Sequence, residues 1–253
     1  MSVVTINGYQ VNYEVTGDGP PLLLIHGFPL DHSIWTKTAA LLRDDFQMIM
    51  PDLPGFGSSV VLPEDGSMTG YCKQLLGLMD VLKIEKAFLA GHSMGGYIAL
   101  QFLALYPERV AGLALVGSQV YADADENRAK RQVQIEDLKK NGISAVLGMA
   151  ERLTANQFAS TELRALIHQQ SAEGAIFALQ AMSGRADQLE LVRRTDKTVL
   201  ILHGDADDLV PLSKAQSVKQ SAPGVELVIL EGVGHSPMIE DPSGLANGLL
   251  KLK

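Results

Sequence analysis

Ser93 stands in Gly91-His92-Ser93-Met94-Gly95-Gly96, a G-x-S-x-G pattern whose spacing suits a serine nucleophile. The chemistry open to it is attack of the hydroxyl on a carbonyl carbon. A serine hydroxyl is a weak nucleophile at neutral pH and needs a base within hydrogen-bond reach. Six histidines are available. His26 and His203 close apolar runs just before a glycine, and His92 is expected to point off the far side of the serine's turn. His32 and His168 fall on segments expected at the surface. His235 follows Gly232-Val233-Gly234, a flexible loop able to carry it over the serine, and is the expected base. A carboxylate must then accept the histidine Nδ1–H, fix the tautomer and steady the imidazolium. Asp205, Asp207 and Asp208 crowd one loop, and each is a candidate. The oxyanion of a tetrahedral intermediate needs two N–H donors. Met94, the residue after the serine, offers one. In the loop after Ile25 the second is Gly27 or Phe28, because Pro29 has no N–H.

These residues work together only if the elements between them deliver them to one place. Lys86 to Ala90 is an apolar run of strand length, and Tyr97 to Tyr106 is an apolar-rich segment of helix length closed by Pro107. Strand, G-x-S-x-G, helix is the context of a nucleophile elbow: a tight, strained turn needs flanking residues without a Cβ, which Gly91 and Gly95 supply. Leu22–Ile25, Phe46–Met50, Val110–Val116 and Thr198–Leu202 are apolar runs without polar alternation. Such strands are buried on both faces, which predicts a parallel sheet between helices. Val225–Leu230 is a last strand, and Asn7-Gly8 between Val3–Ile6 and Val11–Val15 predicts a hairpin. Ser67 to Leu82 has the three-and-four spacing of an amphipathic helix, and Asp241-Pro242 opens a C-terminal one. From about Ser118 strand-like runs stop for some eighty residues, and 127–140, 144–153, 160–170 and 173–182 read as helices. The expected fold class is α/β: a mostly parallel central sheet with helices on both faces and a helical lid insertion. The expected division is a core of 1–117 and 197–253 with a cap of 118–196.

His26-Gly27-Phe28-Pro29, the loop Asp52 to Ser59, the serine motif, Gly204-Asp205-Ala206-Asp207 and Gly234-His235-Ser236-Pro237 occur in one order along the chain. In that order and spacing the whole sequence resembles the α/β-hydrolase superfamily, and carboxylesterases and enol-lactonases within it about equally. It departs in Lys197, where the family often has proline, and in Gly244 and Gly248 of the last helix. The resemblance implies a chain order of Ser, acid, His. It selects Asp207 as the acid, three residues past the glycine that ends its strand, with Asp205 and Asp208 as turn residues. It also selects Phe28 as the second oxyanion donor. The expected site is thus Ser93, Asp207 and His235 with the Phe28 and Met94 amides. The Asp52–Ser59 loop is expected to shape a wall. The implied function is hydrolysis of small or medium carboxylic esters or lactones through an acyl-serine. Carbon–carbon bond hydrolases, cofactor-free perhydrolases and a slow-turnover ligand sensor use the same triad and are the alternatives.

Composition narrows the rest. A net charge near −8 argues against nucleic acid or an anionic membrane as partner, since both need a basic face. With 46% hydrophobic residues there is ample material for a core. Met1 to Val15 alternates like a strand pair rather than a secretion signal, and no apolar run nears the ~20 residues that span a bilayer, so a soluble cytoplasmic protein is expected. The single cysteine, Cys72, is expected to be inert packing. No cofactor is expected: Gly55-Phe56-Gly57 lacks the third glycine of a dinucleotide loop, and no histidine or carboxylate cluster has metal spacing along the chain. In the insertion, Met149, Phe158, Phe177 and Met182 are candidates for lining a substrate pocket, with packing inside the lid expected for at least half of them.

Overall fold

A computed structural model describes residues 1–61 and 66–253. Strands β1 (Ser2–Ile6) and β2 (Tyr9–Thr16) form the hairpin that Asn7-Gly8 predicts. Both turn residues have positive φ, 52° and 88°, the conformation that makes this dipeptide a hairpin signal. Six further strands follow: β3 (Pro21–Ile25), β4 (Gln47–Pro51), β5 (Ala87–His92), β6 (Val110–Val116), β7 (Thr198–Gly204) and β8 (Glu226–Leu230). They complete one sheet in the order β1-β2-β4-β3-β5-β6-β7-β8, antiparallel at β1/β2 and β2/β4 and parallel elsewhere. Leu22 to Ile25 and Leu113 to Val116 are wholly buried, as strands covered on both faces must be.

Helices α1 (Thr36–Leu42), α2 (Met68–Val81) and α3 (Met94–Leu105) belong to the first half of the sheet. Ser67 caps α2 by accepting from the Gly70 N–H, one of the donors a helix start leaves free. The chain leaves β3 for β4 on one side, then recrosses to put β5 on the other. That reversal opens a crevice at the carboxyl ends of β3 and β5, where open α/β sheets bind their ligands. Residues 26–29 leave one wall of it and Ser93 the other.

Between β6 and β7 the chain is helical: α4 (Asp125–Asn141), a 3₁₀ segment (Gly142–Met149), α5 (Gln157–His168), α6 (Ala172–Ser183) and α7 (Leu189–Arg194). The 144–153 stretch is therefore 3₁₀ and turn rather than α-helix. Gly142, at φ +64°, ends α4, and Gly148 adds a second poor helix former within eight residues. A buried carboxylate anchors this insertion. Asp123 meets Arg131 at 2.5 Å and Arg185 at 2.8 Å, the latter an ion pair by distance but not a well-aligned hydrogen bond. The Arg185 guanidinium also lies 4.2 Å over the ring of Tyr97 on α3, so core and insertion share one charge. After β7 come α8 (Leu212–Ser221), the single turn α9 (Pro237–Glu240) and α10 (Pro242–Leu249), which packs on α1. A Cβ at Gly248 would run into Leu202 of β7, so this departure from good helix propensity lets α10 reach the sheet. No helix among the described residues is long and apolar enough to cross a membrane.

Candidate active site

Ser93 sits between β5 and α3 at φ +50°, ψ −113°, a backbone conformation that side chains rarely adopt. Holding a non-glycine there costs roughly 1–3 kcal/mol, and the neighbours show how it is enforced. Its N–H donates to Val116 O at 2.9 Å, and its carbonyl accepts from Ser118 Oγ at 2.8 Å and from the Gly96 N–H at 2.9 Å. A Cβ at Gly91 would strike the Gly95 carbonyl, and one at Gly95 would strike the Ile25 carbonyl. The elbow thus lies flat against the loop leaving β3. Among the described residues, the N–H groups of Phe28 in that loop and Met94 at the start of α3 take part in no hydrogen bond. Both are donors free for an anion, and Met94 adds the positive end of the helix.

His235 and Asp207 are both buried and meet at 2.8 Å, Nδ1 to Oδ2. The other carboxylate oxygen accepts from the Leu209 and Val210 amides at 2.9 and 2.8 Å. Burial acts to raise the Asp207 pKa, but the His235 hydrogen bond and charge and the Val210 amide outweigh it and leave the group below its usual value. An ionised Asp207 keeps the His235 proton on Nδ1 and leaves the lone pair on Nε2. Ser93 Oγ makes no hydrogen bond to His235 among the described residues. Catalytic contacts of this kind are often long before substrate arrives. Asp205 is exposed and accepts from the Gly232 N–H at 2.7 Å, tying its loop to that of His235, while the exposed Asp208 makes no side-chain hydrogen bond or ion pair among the described residues. Glu240 accepts from the Gly234 and Ser236 amides at 3.0 and 3.2 Å, which fixes His235 from both sides.

Three other histidines hold the same edge together. His92 does not point away: its ring lies 4.9 Å from that of His235, and Nε2–H donates to His235 O at 2.9 Å. Burial, with the His235 charge, lowers its pKa to about 3. His203 donates from Nε2 to Val210 O at 2.7 Å and stands 3.5 Å from Asp207 Oδ2. His26 accepts from the Leu53 N–H at 2.9 Å through Nε2, so its Nδ1 carries the proton given to Gly27 O at 3.0 Å. Burial lowers the pKa of His26 and of His203. His32 is buried rather than on the surface, with Nδ1 donating to Asp52 Oδ1 at 2.6 Å. That hydrogen bond raises its pKa. Burial would raise Asp52, yet His32, Ser58 and Asn12 together hold it at about 2.

Asp31, His32 and Asp52 thus form a cluster whose ligand atoms lie within 4.8 Å of one another. Its members come from two loops, so spacing along the chain conceals it. Their lone pairs are already engaged: Asp31 accepts from Ser33 and Gln170, and Asp52 from His32, Asn12 and Ser58. A raised His32 pKa also opposes metal ligation, which needs the neutral ring. The arrangement serves as an ion-paired brace, and it gives the Asp52–Ser59 loop its anchor. A cavity of about 740 Å³ opens between core and insertion, with Phe28, Tyr97 and Leu209 on the core side and Met149 and Leu179 opposite. Phe177 and Met182 are buried in packing, Phe177 edge-on to Tyr71 at 5.3 Å, and Phe158 is 90% exposed. Of the four candidates only Met149 lines this cavity. Cys72 is buried with its Sγ–H on Ile98 O, and burial pushes its thiol pKa far up.

Comparison with known proteins agrees with this architecture. A family model described as alpha/beta hydrolase fold matches residues 20–190. An esterase from Thermogutta terrifontis superposes with a TM-score of 0.94 and 30% identity, covering 99% of this chain and 97% of that one. The enol-lactonase from Burkholderia xenovorans LB400 gives 0.89 at 22% identity, over 99% of both chains, a likeness of fold. A putative carbamate hydrolase, RutD, of Pseudomonas syringae is 29% identical over 89% of this chain and 90% of its own length. With the family model spanning the elbow, the reversal in the sheet and most of the insertion, the chain belongs to the alpha/beta hydrolase family.

Proposed function

We propose that the protein is a serine hydrolase of small to medium carboxylic esters or lactones, with Ser93 as nucleophile, His235 as base and Asp207 as its acid. The observation that carries this reading is the buried 2.8 Å contact of His235 Nδ1 with Asp207 beside a serine held at positive φ. With Nδ1–H given to Asp207, the Nε2 lone pair takes the Ser93 proton as Oγ bonds to the substrate carbonyl carbon. The carbonyl oxygen becomes an oxyanion, and the free Phe28 and Met94 amides receive it. Collapse expels the alcohol, which takes the proton from His235 and leaves acyl-Ser93. Water, deprotonated by His235, attacks that ester, and the carboxylic acid leaves as the proton returns to Ser93. For a lactone the released alcohol stays on the acyl chain.

In this reading 1–117 and 197–253 form the catalytic core and 118–196 a cap over it. The cavity of about 740 Å³ between them is within the range of small-molecule sites. The esterase relative at 30% identity supports ester chemistry, and the enol-lactonase of like fold adds lactones to the substrates worth testing. The test is a panel of esters of rising acyl length beside a lactone panel, with a fluorophosphonate probe mapped by peptide mass. Turnover with one adduct, on Ser93, is expected. Turnover that survives in Ser93→Ala above a tenth of wild type would overturn the assignment.

A further inference from the structure

The cavity wall carries one cation that nothing balances. Of the five charged residues that line it, Asp123 is met by Arg131 at 2.5 Å and Glu126 by Lys130 at 2.6 Å. Asp123 is met again by Arg185, at 2.8 Å. The fifth is Arg152, on the turn after the 3₁₀ segment Gly142–Met149, fixed through its N–H to Met149 O at 2.9 Å. Its guanidinium has no ion-pair or hydrogen-bond partner among the described residues. Glu151 beside it is engaged by Arg164. Arg152 is exposed, so its charge is open to a ligand entering from solvent.

The position of Arg152 relative to the chemistry gives the charge a use. Phe28, whose N–H takes part in no hydrogen bond among the described residues, and Leu209 and Val210, whose amides hold Asp207, line the same cavity from the core side. Met149 and Leu179 add apolar surface to the same lining. A ligand that combines an ester, a short hydrocarbon segment and an anion matches a lining that combines Phe28, the apolar Met149 and Leu179, and Arg152. Guanidinium binds carboxylate through two parallel N–H···O bonds, a match that a neutral ester oxygen cannot return. Resting on the hydrolase reading above, we infer that Arg152 is a specificity residue selecting esters or lactones with a second, free carboxylate, such as half-esters of dicarboxylic acids.

Binding separates this inference from the reading it rests on. Ser93→Ala protein is titrated by calorimetry with monomethyl adipate and with dimethyl adipate, two ligands that differ in one charge. The half-ester should bind about three- to fivefold more tightly, the modest factor expected of an ion pair open to water on one side. That ratio should fall to about one in Ser93→Ala/Arg152→Gln and invert in Ser93→Ala/Arg152→Glu, and raising salt should shrink it. In the single variant Arg152→Gln, the loss on half-esters should appear in KM rather than kcat, as for a contact made equally in ground and transition states. Equal affinity for the two ligands, or a ratio that Arg152→Gln leaves intact, overturns the inference even if ester turnover is established. A protein with no ester turnover refutes the hydrolase reading, and the affinity ratio still decides the role of Arg152.

Discussion

Asn at position 207 tests the hydrogen-bond chain that sets the tautomer of His235. Asp207 uses one oxygen for the Leu209 and Val210 amides, at 2.9 and 2.8 Å, and the other for His235 Nδ1, at 2.8 Å. An Asn can keep the first pair only by turning its carbonyl toward the two amides. The reverse orientation would set an NH₂ against two N–H donors and forfeit two bonds of about 1 kcal/mol each. The preferred orientation therefore presents NH₂ to Nδ1, and the ring must accept there. Its proton moves to Nε2, which can then no longer take one from Ser93. Triads forced into this tautomer lose about 10⁴-fold in turnover, roughly 5.5 kcal/mol at 1.36 kcal/mol per decade. The loop keeps both amide bonds, so folding stability should change by only about 1–2 kcal/mol. Asp205→Asn retains an oxygen for Gly232, and Asp208 has no side-chain hydrogen bond or ion pair among the described residues to lose, so each should stay within about tenfold. The assay is kcat/KM on the best ester of the panel, with urea unfolding as the control. A mild Asp207→Asn beside a crippled Asp205→Asn would refute the reasoning outright.

Ser93→Gly should remove activity yet raise unfolding free energy by about 1 kcal/mol, because glycine accepts the positive φ that serine is forced into; a loss of stability in urea melts would contradict the strain. Gly95→Ala should destabilise by about 2 kcal/mol or more, since its Cβ meets the backbone carbonyl of Ile25, which has no rotamer to escape into; a silent substitution in the same assay would speak against the close approach. The His32–Asp52 pair should be pH-dependent with opposite signs at its two ends. His32, raised above 6.5, contributes fully below about pH 6.5 and loses its contribution as pH climbs through the raised value. Asp52, held at about 2 against 3.8, contributes above 3.8 and loses it as pH falls toward 2. The stability difference between wild type and His32→Gln should therefore shrink from about pH 6 to pH 9; a flat difference would remove the ion pair from the account.

The sheet and the loops of the candidate site are readable because each rests on a local signal. Asn7-Gly8 needs two positive φ angles, Ser67 and Asp241 offer cap oxygens, and unbroken apolar runs mean strands buried on both faces. Short helices give weaker signals. Thr36–Leu42 is two turns long, and Leu212–Ser221 buries only Ala215 and Val218, so neither has the periodicity that announces a helix. Contacts between loops leave no local trace at all. His32 reads as a surface residue until Asp52, twenty positions away, is brought to 2.6 Å from it. His92 reads as pointing away because its acceptor, His235 O, belongs to a loop 143 residues further on. The cavity escapes the sequence for the same reason, since its walls come from both core and insertion.

The buried histidines at the sheet's carboxyl edge also determine what else could occupy their positions. At 92 and 203 the ring serves as a donor only, through Nε2–H to one backbone carbonyl, while Nδ1 faces no partner. A donor alone satisfies each of these positions, a role an indole N–H can fill, whereas a glutamine would bring an amide oxygen with no partner there. At 26 the ring donates from one atom and accepts at another, bridging Gly27 O and Leu53 N. Apart from a neutral imidazole, among side chains uncharged at neutral pH only the amides of Asn and Gln carry a donor and an acceptor on separate atoms. A library randomised at these positions should therefore return donor-bearing side chains that fit the buried space at 92 and 203, and only side chains that both donate and accept at 26.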